Sequence, residues 1–252
     1  MKILKIIAVI ICASLFLSMT AYADNSYNWY IKKRGNMTPC FPGNSAMISA
    51  NGGVYIDLSA AQSCEKKIYL TFDAGYENGN IAKILDVMKL EGVQGAFFIL
   101  SNLIDKNPDL VKRMVNEGHL ICNHTSDHKN LTKLSDDEIL SNLKRLETKY
   151  RDLTGMDMEK IFRFPEGKYS ERTVKLLGDN GYKTVFWSMA YDDWDNDRQM
   201  EPQRAKEKLL STTHEGAILL LHPTSATNAA ILEELIREWK SQGYTFGSLK
   251  DI

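Results

Sequence analysis

From residue 68 onward the chain repeats one rhythm: a short apolar run, a polar turn, then a stretch of helical apolar spacing. The apolar runs are IYLTF (68–72), GAFFIL (95–100), HLICNH (119–124), IFRFP (161–165), TVFWS (184–188), AILLLH (217–222) and YTFGSL (244–249). Helical spacing predicts helices over 81–90, 108–118, 135–155 and 228–243, with Ile81, Ile84, Leu85 and Met88 on one face of the first. Ser135 with Glu138 has the form of a capping box, and Gly118, Gly155 and Gly243 stand where helices would stop. Strands that alternate with helices make parallel βαβ units, so the chain is of the α/β class. Seven strands suit either a barrel or an open doubly wound sheet, and periodicity does not separate the two.

The part before this rhythm reads differently. Lys2 and Lys5 precede an apolar stretch from Ile6 to Leu17, and Ala21-Tyr22-Ala23 has the small-x-small form of a cleavage site. Residues 1–23 are therefore expected to be a secretory signal peptide cut after Ala23, too short in its apolar part to span a bilayer, which takes about 20 residues. The expected location is extracytoplasmic, with no membrane span after cleavage. Residues 24–66 are rich in Asn, Gly, Ser and Pro and carry an aromatic cluster, Tyr27, Trp29 and Tyr30. They are expected to be an extension that packs its aromatics on the body formed by residues 67–252. The net charge is -1 for all 252 residues, and loss of two leader lysines would make it -3, which argues against a nucleic-acid partner. Three cysteines remain, Cys40, Cys64 and Cys122; Cys40 could pair with Cys64, and Cys122 reads as a buried strand residue.

Carboxyl ends of parallel strands meet on one face and carry the sites of such folds. In order, these ends present Asp73, His124, Arg163-Phe164-Pro165, Asp192-Asp193-Trp194 and His222. A carboxylate, imidazoles and an arginine on one rim suit metal-assisted hydrolysis. His124 and His128, four apart, would share a face on a helical turn and could bind a metal; for the pair alone, two unrelated surface histidines is the commoner reading. Asp73 suits a general base, although an Asp before Gly75 is as often a turn cap. Arg163 suits the cation that keeps such a base ionised. His222 suits an acid toward a leaving nitrogen, steadied by Asp193. Trp194 and Leu220 could form a small apolar pocket or simply pack in the core.

Taken together, these residues resemble the polysaccharide deacetylase family (NodB homology domain, carbohydrate esterase family four). Thr71 to Gly75 matches T-F-D-x-G, His124 to His128 matches H-[ST]-x-x-H, and Arg163 to Gly167 matches R-x-P-x-G. Asp193-Trp194 and the Leu219–His222 strand end match the remaining two motifs. NWYIKK (28–33), YLTFDAGYENG (69–79) and TVFWSMAYDDW (184–194) resemble more closely the de-N-acetylases of the muramic-δ-lactam pathway in spore formers. The resemblance implies a distorted (β/α)7 barrel with an irregular N-terminal extension, and a metal-dependent hydrolase. It would remove the N-acetyl group of N-acetylmuramic acid in a peptidoglycan strand, acting after an amidase that strips stem peptides. It further implies Asp73 as base, His222 as acid, Arg163 and Asp193 as their partners, and His124 and His128 as ligands of a divalent ion, zinc first. Trp194 and Leu220 would hold the acetyl methyl, and the backbone N–H of Glu166 would face the oxyanion.

Two positions depart from the family pattern. Ala74 stands where most of the family has a metal-binding Asp, so the ion is expected to be held weakly and more tightly in Ala74→Asp. Glu166 replaces an aromatic or basic residue and adds charge at the glycan contact; Lys168 is the candidate cation for a lactyl carboxylate. Two other readings stay open on sequence: a deacetylase of N-acetylglucosamine polymers, and a glycan-binding protein that has lost the metal.

Overall fold

A computed structural model describes residues 25–252, so the expected signal peptide lies outside the described residues. Three short strands, β1 (Tyr27–Asn28), β2 (Lys32–Arg34) and β3 (Met37–Cys40), and the helices Ser45–Ala50 and Leu58–Ser63 precede the main sheet. The sheet strands are β4 (Lys67–Ala74), β5 (Ala96–Ile99), β6 (Leu120–Asn123), β7 (Ile161–Phe162), β9 (Lys183–Thr184), β10 (Met189–Ala190), β11 (Ala217–Leu221) and β12 (Thr245–Phe246). Between β7 and β9 lies β8 (Lys168–Tyr169), which pairs with β1 instead.

Seven parallel strands run in the order β10-β11-β4-β5-β6-β7-β9, and β12 pairs with Lys67 and Ile68 at the start of β4. The sheet curls into a half-barrel whose two outer strands, β10 and β9, are not paired with each other. The distorted barrel implied by the family resemblance is thus the architecture observed. The distortion has a local cause. The apolar run 184–188 is not one strand: β9 ends at Thr184 and β10 starts at Met189. Val54 of the N-terminal segment takes the vacant edge, donating to the Thr184 carbonyl and accepting from Phe186 N–H, each at 2.8 Å.

The period-2 alternation of strands divides the core in two. Leu70, Phe72, Phe97, Ile121, Leu219 and Leu221 point outward to the helices, including Ile81–Glu91 and Ala226–Ser241. Tyr69, Phe98, Cys122, Ile161 and Ile218 point to the concave side. Burial of these runs on both faces supplies the main stabilisation, at about 25 cal/mol per Å² of apolar surface. The helices predicted over 81–90, 108–118, 135–155 and 228–243 form at Ile81–Glu91, Pro108–Asn116, Asp136–Thr154 and Ala226–Ser241, and Ser135 and Glu138 make the reciprocal capping box. Helices not predicted from the sequence form at Ser101–Lys106, Glu171–Asp179 and Pro202–Leu210, the last two starting at the caps Ser170 and Glu201. Cys40 and Cys64 are both free and exposed, correcting the possible disulfide; Cys122 is buried as expected.

Candidate active site

Strand parity brings the site together. Along β4 the concave positions are Tyr69, Thr71 and Asp73; along β11 they are Ile218 and Leu220, then His222 just past its end. The register that pairs Leu221 with Phe72 sets His222 beside Asp73. On the far side of β5, Asn123 of β6 opposes Phe162 of β7, which sets His124 beside Arg163. Four residues far apart in sequence thus share the carboxyl-end rim of the sheet.

Arg163 is the anchor. Its side chain is 0% exposed and lies over the Phe98 ring, 4.1 Å from the centroid. Nη1 donates to Asp73 Oδ1 at 2.9 Å, Nε to the Val185 carbonyl at 3.1 Å and Nη2 to the Phe186 carbonyl at 3.4 Å. The guanidinium is therefore fixed before any substrate arrives. Burial alone would raise the Asp73 pKa, but the fields of His124, Arg163 and His222 and the Arg163 hydrogen bond outweigh it and hold the carboxyl below its ordinary range. Burial pushes His124 down to about 4, so it is neutral at pH 7 and Arg163 is the permanent cation beside Asp73.

Asp193 and His222 form a second pair. His222 Nδ1 donates to Asp193 Oδ1 and His222 N–H to Oδ2, both at 2.7 Å. Burial lowers the His222 pKa, yet the hydrogen bond and charge of Asp193, with Asp73 farther off, raise it above the ordinary value. With Nδ1 engaged, Nε2 is the nitrogen left for a ligand.

His124 and His128 do not lie on a helical turn, contrary to the sequence expectation. Both follow β6 in a loop that passes through the left-handed region at Thr125 (φ 76°) and His128 (φ 57°), and this loop, not a helix, brings the rings to 5.0 Å between centroids. Side chains compensate for the strained backbone: Asn123 Oδ1 accepts from Thr125 N–H at 2.8 Å, Thr125 Oγ1 from His128 N–H at 2.8 Å, and Asn142 Oδ1 from Ser126 N–H at 2.6 Å. His124 Nδ1 donates to the Arg163 carbonyl at 2.9 Å, which fixes the tautomer and leaves a lone pair on Nε2. That lone pair faces Asp73 Oδ2 at 3.6 Å with no hydrogen between them. Two electron-rich atoms so placed suit a cation, and His124 with His128 fits a divalent ion in its donor chemistry. Among the described residues no group of three or more His, Cys, Asp or Glu is arranged to hold a metal, so the protein offers a two-imidazole set.

Ala74 does not face this rim. It is fully buried in the outward, helix-side cluster, so Ala74→Asp would place a carboxylate among apolar side chains, a clear cost in stability. Leu220 faces the concave side and is 7% exposed, whereas Trp194 stands 65% exposed at the rim. Glu166 is exposed in a left-handed conformation (φ 56°) and ion-paired with Lys168, so each offsets the other's charge and neither presents a bare charge to a glycan. Gly167 is required next to it: at φ +63°, a Cβ would meet the Trp187 ring at 2.8 Å and Trp29 Cβ at 3.1 Å. Trp29 closes this side, donating its N–H to the Gly167 carbonyl and its Nε1–H to the Trp187 carbonyl, each at 2.8 Å. Asn123, Asn142 and Asn228 support the site and were not legible in sequence; only Ser225 three residues before Asn228, a helix-cap spacing, marks one of them.

The sequence profile of the family described as polysaccharide deacetylase matches residues 60–185. An uncharacterised 30.6 kDa protein of Geobacillus stearothermophilus is 39% identical over 241 residues, covering 94% of this chain and 89% of the relative. The peptidoglycan-N-acetylmuramic acid deacetylase PdaA of Bacillus subtilis is 37% identical over 250 residues, covering 96% and 94%. The solved structure of B. subtilis PdaA, described as a family 4 carbohydrate esterase, superposes with a TM-score of 0.84 at 36% identity over 90% of this chain and 96% of that one.

Proposed function

The chain belongs to the polysaccharide deacetylase family, and we propose that it hydrolyses the N-acetyl group of N-acetylmuramic acid in peptidoglycan. As a polysaccharide deacetylase it is a hydrolase. The observation that carries the reading is the pairing of Asp73–Arg163 with His222–Asp193 at the sheet's carboxyl-end rim, with Asp73 and His222 on adjacent strand ends: a carboxylate kept ionised next to an imidazole whose hold on its proton Asp193 strengthens. A protein that only binds glycan has no use for both.

A divalent ion on His124 and His128, zinc first among the candidates, would act as a Lewis acid toward the acetyl carbonyl and acidify water there. Asp73, ionised throughout the neutral range, accepts a proton from the attacking water, and Arg163 holds the carboxylate in place. As the carbon–nitrogen bond breaks, His222 gives its proton to the departing amine, leaving acetate and the free amino sugar. Leu220 lines the concave face where the acetyl methyl would lie. Removal of the acetyl group frees an amine on a sugar whose lactyl carboxyl, once cleared of stem peptide by an amidase, lies close enough to close the six-membered δ-lactam. Export to the cell wall through a leader at residues 1–23 is part of this proposal; no helix among the described residues is long and apolar enough to cross a membrane.

The test is acetate release, with products read by mass, from peptide-stripped peptidoglycan and from chitin oligomers side by side. Release from the muramic residues and little from chitin is expected; preference for chitin would move the reading to N-acetylglucosamine. Chelation should abolish release and added divalent ion restore it, because a two-imidazole site holds its ion loosely. Full activity after exhaustive chelation would overturn the assignment of His124 and His128.

A further inference from the structure

Behind the His222–Asp193 pair lies a buried polar group that none of the five family motifs includes. Asn228, in the first turn of the helix Ala226–Ser241, is 2% exposed. Its Nδ2 donates to Asp193 Oδ2 at 2.6 Å and to the His222 carbonyl at 3.1 Å. The Tyr191 hydroxyl donates to its Oδ1, so the amide cannot turn over without losing both ends. Its own N–H donates to Ser225 Oγ at 3.1 Å, fixing the first turn of the helix. Asp193 is 1% exposed, and its Oδ2 has two donors, His222 N–H and Asn228.

We propose that Asn228 is a positioning residue for the acid: it holds the Asp193 carboxylate and the His222 backbone together in one orientation, so that the imidazole presents its free nitrogen to the substrate. The inference rests on the deacetylase reading for its rate consequence but not for its geometry. A buried carboxylate that loses a donor concentrates its charge on the remaining ones. Without Asn228 the carboxylate therefore binds the His222 proton more strongly, and the imidazole releases it less readily to a leaving nitrogen.

Asn228→Leu is close in shape, removes the donor and leaves no room for a replacing water. Two readouts separate the proposal from the deacetylase reading. The first is NMR titration of the His222 ring in the resting protein, which needs no turnover. Here the midpoint of Asn228→Leu should move upward by about half a pH unit or more. The second is steady-state acetate release, where kcat should fall about tenfold or more with KM little changed, as befits a group acting on the reacting proton and not on binding. Asn228→Asp should restore function only where its carboxyl is protonated and can donate, giving an activity that recovers as pH falls. Trp239→Phe serves as the control on the same helix, because it deletes a buried hydrogen bond to Thr213 and should lower Tm without moving the His222 midpoint. If Asn228→Leu lowers Tm as Trp239→Phe does and leaves the midpoint and kcat unchanged, Asn228 is a structural residue only and the proposal fails. If the midpoint moves while the wild-type protein releases no acetate from any glycan, the positioning role stands and the deacetylase reading falls.

Discussion

Asp73→Asn is expected to lower kcat for acetate release by about 10²–10⁴-fold, the contribution of one positioned proton-transfer group. The substitution keeps the shape of the side chain and an oxygen for Arg163 Nη1, so the buried guanidinium keeps a partner. It also places an amide where a carboxylate now faces the His124 lone pair. The fold should survive, but the buried Arg163 cation loses its counter-charge and stability falls as well, so thermal melting beside kinetics is needed to separate the loss of turnover from the loss of stability. His222→Ala should produce a loss of the same order. The wild-type pH profile carries the same logic. Activity needs Asp73 ionised, so it rises as pH climbs through a pKa held below the ordinary carboxylate range. It also needs His222 protonated, so it falls as pH rises through a pKa held above the ordinary imidazole value. Turnover in Asp73→Asn within tenfold of wild type would remove Asp73 from the role of base.

Arg163→Met should have the largest effect on stability. The side chain is fully buried, and its charge is matched by Asp73 and two backbone carbonyls. Removing one partner of a buried ion pair costs about 3–5 kcal/mol, because the other charge remains without compensation. The pH dependence of stability should weaken as well. In the wild-type protein the depressed Asp73 pKa contributes stability that is present above the ordinary carboxylate value and lost as pH falls through the folded one. In Arg163→Met the charge and hydrogen bond of Arg163 are gone while the fields of His124 and His222 remain, so the folded pKa of Asp73 moves upward and its stabilising contribution above the ordinary carboxylate value shrinks. Denaturant melts between pH 3 and 7 read this directly. A variant whose stability climbs with pH as steeply as the wild type's would show that Arg163 does not help to hold Asp73 ionised.

Much of the site was legible because it sits on strand ends. Asp73, Arg163 and His222 follow apolar runs whose type and direction the sequence states clearly, and parallel pairing then delivers them to one rim. The Asp193–His222 pair was legible for the same reason. What the sequence hid is local backbone. The two left-handed residues of the 124–128 loop follow no periodicity, so a helical turn was the natural reading of the His124–His128 spacing. The break between β9 and β10 was hidden because the run 184–188 is apolar for a different reason: Phe186 packs against Trp29 and Phe164, not in a strand pair. Exposure was also beyond reach. Trp194 and Leu220 are equally apolar on paper, yet one stands at the rim and the other lines the concave face. Asn228 was hidden because an asparagine in a first helical turn is ordinary, and only the carboxylate facing it gives it a use.

The strap formed by Trp29 sets an order of events in time. Its indole joins the Trp187 carbonyl across 158 positions of chain, and its backbone closes on Gly167 beside the Arg163 motif. Closing so long a loop is slow compared with docking a helix on its neighbouring strand. The βαβ units can therefore assemble from contacts near in sequence while the rim beside Glu166 and Gly167 still waits for its last brace. A newly made chain would then acquire its secondary structure well before its catalytic competence, which waits both for this brace and for the β4–β11 pairing, whose partners are also far apart in sequence.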